Sequence, residues 1–417
     1  MDDRATVDFD QHSSAYAAAP WETARTLSKC PVAWSEHHGG FWVIAGYDAV
    51  REAARDAQTF SSRHDLPTGS TPFQGINLPA APGRYLPIEL DPPEQLDWRR
   101  GLATRFAPAN VDALKPLMQQ FCDWTIDRHI ETGEIEFVME LCSAVPAMVT
   151  LHLLGLPLAR WRTYVEITHK INYTTGPDRD ATFRKFDAML EEVMRVARER
   201  RKNPRDDLLT TLAQMEVNGS PVSDEDIVSA CGTIIAGGID TTSAVVAGAL
   251  KYLGENPAAR RQLIDQPETL PHAIEEFLRY VSPVSGLART AACDVELAGQ
   301  KIKAGDRVQL MWHGANMDGT VFPDPTVVDL GRDAGGHVTF GYGAHRCLGS
   351  SIARADLLTI IGTAIRRLPD YTLIPDGAVR YPSIGVSNNY VALPARFTPG
   401  RRVGVSDAVR AALEAEA

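Results

Sequence analysis

Two stretches of this chain hold residues whose types and spacing can do chemistry. In the first, Phe340-Gly341-Tyr342-Gly343-Ala344-His345-Arg346-Cys347-Leu348-Gly349, three glycines bracket one histidine and one cysteine. Glycine permits φ > 0 and close backbone approach, so the run suits a tight loop beneath something bulky. Phe340 and Leu348 can shield the sulfur. The amphipathic stretch from Ser350 to Arg367 predicts a helix, which puts Cys347 near a helix N-terminus, where free N–H groups and the dipole favour a thiolate. A thiolate on a shielded loop can serve as one strong axial ligand to haem iron. In the second stretch, Ala236-Gly237-Gly238-Ile239-Asp240-Thr241-Thr242, two adjacent glycines stand inside a helical pattern, where each is costly. Something there needs backbone room. Thr241 can bond back to the carbonyl of Gly237 and loosen the helix. A flat cofactor with bound dioxygen would use that space. A buried, unpaired Asp240 would be expensive, so an incidental acid in a kinked core helix is the weaker explanation.

The elements that must position these residues can be read from the pattern. Ser223 can cap a helix whose acidic first turn suits the dipole, whose apolar residues run to Leu253, and which Gly254-Glu255-Asn256-Pro257 stops. Roughly 30 residues at about 1.5 Å each span about 45 Å, enough to cross a domain. A helix from Leu270 to Tyr280 puts Glu276 and Arg279 on one face. Upstream, Pro31 to Ile44 is extended and Asp48 to Ala57 helical, a small β-rich lobe. Phe60 to Leu90 is rich in Pro, Gly, Ser and Thr with little periodicity, as lids and binding loops often are. Residues 111–216 alternate helical patterns, clearest at Leu151 to Leu156 and Asp187 to Arg201, with short breaks. The run Arg195, Arg198, Arg200, Arg201, Lys202 reads as a solvated face. Val295 to Gln309 reads as a hairpin around Lys303-Ala304-Gly305-Asp306. Asn316 to Gly336 holds the turn-rich Phe322-Pro323-Asp324-Pro325. Tyr381 to Pro394 is extended, and Ser406 to Ala417 suggests a short surface helix.

Composition narrows the function classes. The 417 residues carry 42 Lys and Arg against 53 Asp and Glu, a net charge of −11, which argues against a general nucleic-acid binder. A 44% hydrophobic content supports a sizeable core. No run of about 18 apolar residues predicts a membrane span, and the acidic start, with Asp2, Asp3, Asp8 and Asp10, does not read as a signal peptide. The expectation is a cytoplasmic protein. Six cysteines stand at 30, 122, 142, 231, 293 and 347, without a C-x-x-C pair for zinc, redox chemistry or covalent haem attachment. Cys122, Cys142 and Cys231 lie in apolar helical contexts and are expected in the core.

The cysteine run resembles the signature Phe-Gly-x-Gly-x-His-x-Cys-x-Gly of the cytochrome P-450 monooxygenases at all its specified positions. Ala236 to Thr242 resembles the same family's distal-helix motif, with its acid–alcohol pair at Asp240 and Thr241. The order of Glu276-x-x-Arg279, Arg289 and the loop is similar too, and the likeness spans about residues 30 to 400, with 401–417 a tail. The resemblance implies one domain over 1–417, mainly α with a small β-rich lobe, in which a long central distal helix lies over haem and a proximal Cys loop beneath it. It implies haem b (iron protoporphyrin IX) with Cys347 as metal ligand and dioxygen as co-substrate. Phe340, Gly341, Gly349 and Gly237 would adjoin the cofactor, Arg99, Arg289 and His345 would hold its propionates, and Asp240 and Thr241 would direct protons. Glu276 and Arg279 take the family's structural pairing role. Asp91-Pro92-Pro93-Glu94-Gln95 departs from many bacterial members in having Gln95 for His, as the camphor-hydroxylating type also does.

Tyr85, Thr233, Ala236, Val284, Leu287 and Val386 are the candidate pocket residues, with Phe73, Ile76, Leu78 and Ile384 beside them. The implied reaction hydroxylates or epoxidises a small apolar substrate, with a compact terpenoid first and an aromatic or polyketide-type biosynthetic intermediate as the alternative. Electrons would come from NAD(P)H only indirectly, through an iron–sulfur ferredoxin and its reductase, with Arg99, Arg100, Arg105, Arg346 and Arg354 as a docking patch. Three rival readings of the same residues are weaker. A thiol hydrolase fails because Cys347 and His345, two apart on a glycine loop, have no evident third group. A peroxygenase would not need the acid–alcohol pair. A haem-based sensor is opposed by that pair only weakly.

Overall fold

Val32, Trp34, Phe41 and Val43 do fall on strands, and those strands begin the larger sheet. The structure, a computed structural model, describes residues 4–65, 73–81, 83–174 and 176–415. Asp2 and Asp3, residues 66–72 and 82 of the irregular 60–90 stretch, and the last two residues of the tail lie outside the described residues. The fold class is the expected one, mainly helical with a small β-rich part. Two compact units are distinguishable.

The first unit comprises the chain up to Arg100, Leu278–Cys347 and Ser383–Asn388. Its sheet has five strands in the order Val32–Ser35, Phe41–Ile44, Arg307–Leu310, Leu287–Ala291, Phe60–Ser61. Neighbours are antiparallel except the parallel pair Phe41–Ile44 with Arg307–Leu310. The register sets Val308 beside both Trp42 and Arg289. The helix Tyr47–Arg55 lays Val50, Ala53 and Ala54 on a core of Trp42, Ile44, Val308 and Leu310. The expected hairpin has its turn elsewhere: Val295–Leu297 pairs with Gln300–Ile302 around Ala298 and Gly299, with φ of 47° and 78°. Two successive positive φ values match the twist of a two-residue hairpin. Alanine rarely adopts one, which hid the turn from the sequence. Lys303 to Asp306 instead leads into the central strand Arg307–Leu310, with Gly305 at φ 90°. The Phe322 meander is tied in by fully buried Arg279, which donates to the carbonyls of Asn316 and Pro325 at 2.9 and 2.8 Å.

The second unit comprises Gly101–Phe277, Leu348–Pro382 and Asn389–Ala417. Its axis is the helix Asp224–Glu255, capped by Ser223, whose hydroxyl accepts from the Asp226 amide at 3.0 Å. The helices Ala144–Leu154, Trp161–Tyr173, Gly176–Lys202 and Ser350–Arg367 pack around it. It has the length and mean hydropathy of a membrane span but is mostly buried inside the protein. Ser350–Arg367 also packs on Pro108–Asp127, and Cys122, Cys142 and Cys231 are fully buried. Arg200 corrects the reading of the basic run as a solvated face. It is buried and bonded to Asp207 at 2.5 Å, because helix Gly176–Lys202 turns that side inward against Leu208–Gln214. Arg198 and Arg201 pair with Asp224 at 2.7 and 3.1 Å. The tail helix, Asp407–Glu414, is docked rather than loose: Val409 and Leu413 are buried and it packs on Pro108–Asp127. Of the stretch expected to be extended, only Tyr390–Ala392 and Pro394–Arg396 pair as strands.

Candidate active site

The first unit builds the cysteine loop from local rules. Gly341 and Gly343 take φ of 69° and 71°. At Gly343 a Cβ would also lie 2.4 Å from the Ala54 carbonyl oxygen, so only glycine lets the loop rest on helix Tyr47–Arg55. The Tyr342 hydroxyl accepts from Arg51 and Arg55, each at 3.0 Å. The Cys347 amide donates back to the Phe340 carbonyl at 2.7 Å, closing the loop. Gly349 is the N-cap of helix Ser350–Arg367. Cys347 therefore stands two residues before that cap, as the spacing predicts. Cys347 is exposed, and Phe340 and Leu348 are half-buried.

Beside the loop the same unit gathers cationic groups. Arg289 is buried on the strand Leu287–Ala291, and its guanidinium donates to the Ala288 carbonyl at 2.7 Å. Burial pulls it down to about 10, with Asp91 opposing. Burial, then the Arg289 and Arg99 guanidiniums, push His345 down to about 3. Burial lowers Arg99 as well, against the pull of Cys347. Among the described residues no carboxylate pairs with Arg99 or Arg289. Asp91, whose charge acts on Arg289, already accepts from the Ser61 hydroxyl and the Ser62 amide. Two guanidiniums that depress the imidazole between them, neither bonded to a carboxylate among the described residues, form a donor set that carboxylates would satisfy. These residues fit the propionates of a haem. Sequence reasoning missed two supports here. Ser62 Oγ is 3.2 Å from His345 Nε2, and Gln95 donates its amide to the Ala344 carbonyl at 2.8 Å.

The second unit holds the acid–alcohol pair. Thr233, Ala236, Gly237, Asp240 and Thr241 recur along one side of the long helix. The Thr241 hydroxyl donates to the Gly237 carbonyl at 2.6 Å, as expected, and Thr233 does the same to Ser229 at 3.0 Å. The two glycines differ. A Cβ on Gly237 would meet nothing within 4 Å, whereas one on Gly238 would lie 2.7 Å from Thr150 Oγ1. Room at 237 serves open space, and room at 238 serves helix packing. Asp240 is buried, with both carboxylate oxygens occupied. Tyr381 Oη and Asn389 Nδ2 donate to Oδ1 at 2.8 Å each, and Asn172 Nδ2 donates to Oδ2 at 2.7 Å. His169 Nδ1 is 2.7 Å from Tyr381 Oη. None of these partners was expected. The one trace of them in the sequence is the polar Asn388-Asn389 in an otherwise extended stretch.

The pocket candidates fall in both units. Tyr85 is half-buried, and its amide donates at 2.7 Å to Glu89, which also accepts from Ile76 at 2.8 Å. Val284 packs on the first unit's core, Leu287 is half-buried and Val386 is exposed. Thr233 and Ala236 are half-buried. Of the arginines expected to dock a partner, Arg100 pairs with Asp97, Arg105 with Asp206, and Arg354 with Glu275 through two bonds of 2.7 Å. Arg346 is exposed.

Known proteins resemble this chain over most of its length. The family model Cytochrome P450 matches residues 161–377. The steroid C26-monooxygenase of Mycolicibacterium smegmatis is 33% identical over 369 residues, 87% of this chain and 89% of that protein. The crystal structure of CYP108D1 from Novosphingobium aromaticivorans superposes with a TM-score of 0.83 at 27% identity, covering 94% of this chain and 97% of that one. CYP109E1 from Bacillus megaterium, solved in complex with testosterone, gives 0.81 at 27% identity over 92% and 99%.

Proposed function

Since the chain belongs to the cytochrome P450 family and is a monooxygenase, we propose that it takes two electrons from an iron–sulfur ferredoxin to hydroxylate or epoxidise a small apolar molecule. The observation that carries the reading is the gathering of Arg99, Arg289 and His345, the two arginines without a bonded carboxylate among the described residues, beside a glycine-built cysteine loop. Haem supplies the oxygen activation when bound, and a cysteine thiolate favours O–O cleavage. Cys347 would ligate the iron, and Phe340, Gly341 and Gly349 would shape the loop under the ring. Arg99, Arg289 and His345 would take the propionates through charge-assisted hydrogen bonds. Gly237 would leave the distal space clear, Thr241 would present a hydroxyl to it, and Asp240 would control the proton supply. Tyr85, Thr233, Ala236, Val284, Leu287 and Val386 would orient the substrate.

For the substrate, a compact terpenoid or another rigid apolar polycycle is our choice. The names of the steroid C26-monooxygenase and of the testosterone complex support a polycycle. NAD(P)H would act only through the ferredoxin reductase, in the cytoplasm. Arg346, exposed at the loop, is the cation we assign to the acidic ferredoxin.

The test is spectroscopic. Reduced protein under carbon monoxide should show the red-shifted Soret band of thiolate-ligated haem, and Cys347→Ala should lose it. A histidine-ligated, globin-like spectrum in intact protein would overturn the reading. Terpenoid and steroid panels should then be screened for the haem spin shift that marks substrate binding.

A further inference from the structure

The polar contacts behind Asp240 continue as an unbroken buried chain. Ser243 Oγ and Ser143 Oγ are 2.7 Å apart, Ser143 Oγ and His169 Nε2 2.8 Å, His169 Nδ1 and Tyr381 Oη 2.7 Å, and Tyr381 Oη and Asp240 Oδ1 2.8 Å. All five side chains are at most 3% exposed. Each hydroxyl has one proton to give, and a neutral imidazole has one N–H. That count restricts the chain to two arrangements.

When Asp240 is ionised its carboxylate only accepts, so Tyr381 must donate to it. Tyr381 then has nothing to give His169 and must accept from it, which places the imidazole proton on Nδ1. Nε2 in turn accepts from Ser143, and Ser143 from Ser243. When Asp240 is protonated, every link can run the other way: Asp240 to Tyr381, Tyr381 to Nδ1, Nε2–H to Ser143, Ser143 to Ser243. The two arrangements differ by one proton, the one carried by Asp240, and by the direction of every hydrogen bond between it and Ser243, whose Oγ also lies 3.4 Å from Asn389 Nδ2.

We propose that His169 is a positioning residue for proton delivery: its tautomer sets the direction of this chain and, through Tyr381, the state in which Asp240 is held. Burial depresses the His169 imidazole, against the opposing pull of Asp240 and Glu136, and so favours the neutral ring on which the count rests; Nε2 also lies 3.5 Å from Asp240 Oδ1 but is nearer Ser143 Oγ, at 2.8 Å. The other groups around the chain do not supply a competing proton. Glu136 accepts from the amides of Val138, Met139 and Leu393. The Tyr173 ring lies 4.8 Å from that of Tyr381, and burial raises its phenol. Asn389 and Asn172 donate to Asp240 and accept nothing from it. With Oδ1 held by Tyr381 and Asn389, Oδ2 is the oxygen whose contact can change. Its partner Asn172, at the end of helix Trp161–Tyr173, is only half-buried.

The inference rests on the monooxygenase reading for the destination of the proton, not for the tautomer. The test uses holoprotein carrying ¹⁵N-histidine, reduced and bound to carbon monoxide so that the haem is diamagnetic, with His169 assigned from its loss in His169→Gln. At neutral pH the expected His169 signals are those of a neutral ring protonated on Nδ1. Tyr381→Phe removes the acceptor of that proton and should swing the ring toward Nε2–H, while turnover slows severalfold in the manner of Asp240→Asn. Ser143→Ala leaves the Tyr381 bond intact and should keep Nδ1–H, which preserves the test if Tyr381→Phe folds poorly. An Nε2–H ring in wild type or in Ser143→Ala, or an unmoved ring in folded Tyr381→Phe, would overturn the proposal. The Soret band of the same samples separates the two claims: its absence refutes the monooxygenase reading, whereas a normal band with the wrong tautomer refutes only the role of His169.

Discussion

Alanine at Gly237 and alanine at Gly238 should act in opposite directions, although the two glycines are neighbours in one helix. Both have ordinary negative φ, so the backbone accepts alanine at either site. In a helix interior alanine is better than glycine by about 1 kcal/mol. At 237 a Cβ meets nothing within 4 Å, so Gly237→Ala should gain about that amount. At 238 the same methyl would lie 2.7 Å from Thr150 Oγ1 on helix Ala144–Leu154, closer than real Cβ contacts come. Overpacking of that kind costs about 1–3 kcal/mol, which leaves Gly238→Ala between neutral and about 2 kcal/mol destabilised. Combining it with Thr150→Ala removes the obstructing atom and should give a favourable coupling of about 1–2 kcal/mol. Urea unfolding of the haem-loaded proteins, followed by circular dichroism and the Soret band together, reads these differences. Function should invert the ranking. Gly237→Ala, though the more stable, puts a methyl into the space assigned to the distal site, so carbon monoxide binding should slow and the substrate-induced spin shift should weaken. A Gly237→Ala protein as destabilised as Gly238→Ala, or one with wild-type carbon monoxide binding and spin shift, would refute the division of labour between the glycines.

Three further outcomes follow from the same geometry. Asp356 is fully buried on helix Ser350–Arg367 with Oδ1 unpartnered, and burial raises it from an ordinary 3.8 to about 8. The folded state keeps this proton after the unfolded chain has lost it, so stability should fall as pH climbs from about 4 to about 8. Asp356→Asn should flatten that fall, by on the order of 5 kcal/mol at pH 8, in urea midpoints measured across the range. Thr241→Ala should bind carbon monoxide and accept electrons normally while reductant is diverted to hydrogen peroxide, whereas Asp240→Asn should slow turnover as a whole. Stoichiometry of reductant, oxygen, product and peroxide separates the two, and wild-type coupling in folded Thr241→Ala would remove that residue from oxygen activation. Arg346→Glu should lower the rate of reduction by an acidic ferredoxin and reduce its dependence on salt, while Arg100→Glu, which breaks a pair with Asp97, should do less.

The difference between what the sequence disclosed and what it hid follows the range of the forces involved. The cysteine loop is legible because its requirements are local. Gly341 and Gly343 are needed for their own φ, and the Cys347 amide reaches a carbonyl seven residues back. The cap at Ser223 and the Thr241 bond to Gly237 are likewise contacts within one turn of helix. Asp240 marks the opposite limit. Its residue type and place beside Thr241 announce an acid, but its partners lie 68, 141 and 149 positions away at Asn172, Tyr381 and Asn389. Nothing in a helix such as Trp161–Tyr173 shows that His169 will face a tyrosine rather than apolar neighbours. Arg200 failed for the same reason: a run of basic residues looks solvated until the fold brings Asp207 against one of them. Buried polar groups are obliged to find partners, and the obligation can be read from sequence although the partner cannot. For Asp240 that distinction has a chemical consequence. The pair Asp240-Thr241 names the groups proposed to handle protons, but the hydrogen-bond chain proposed to set their direction, through Tyr381, His169 and Ser143, is brought together only by the folded chain.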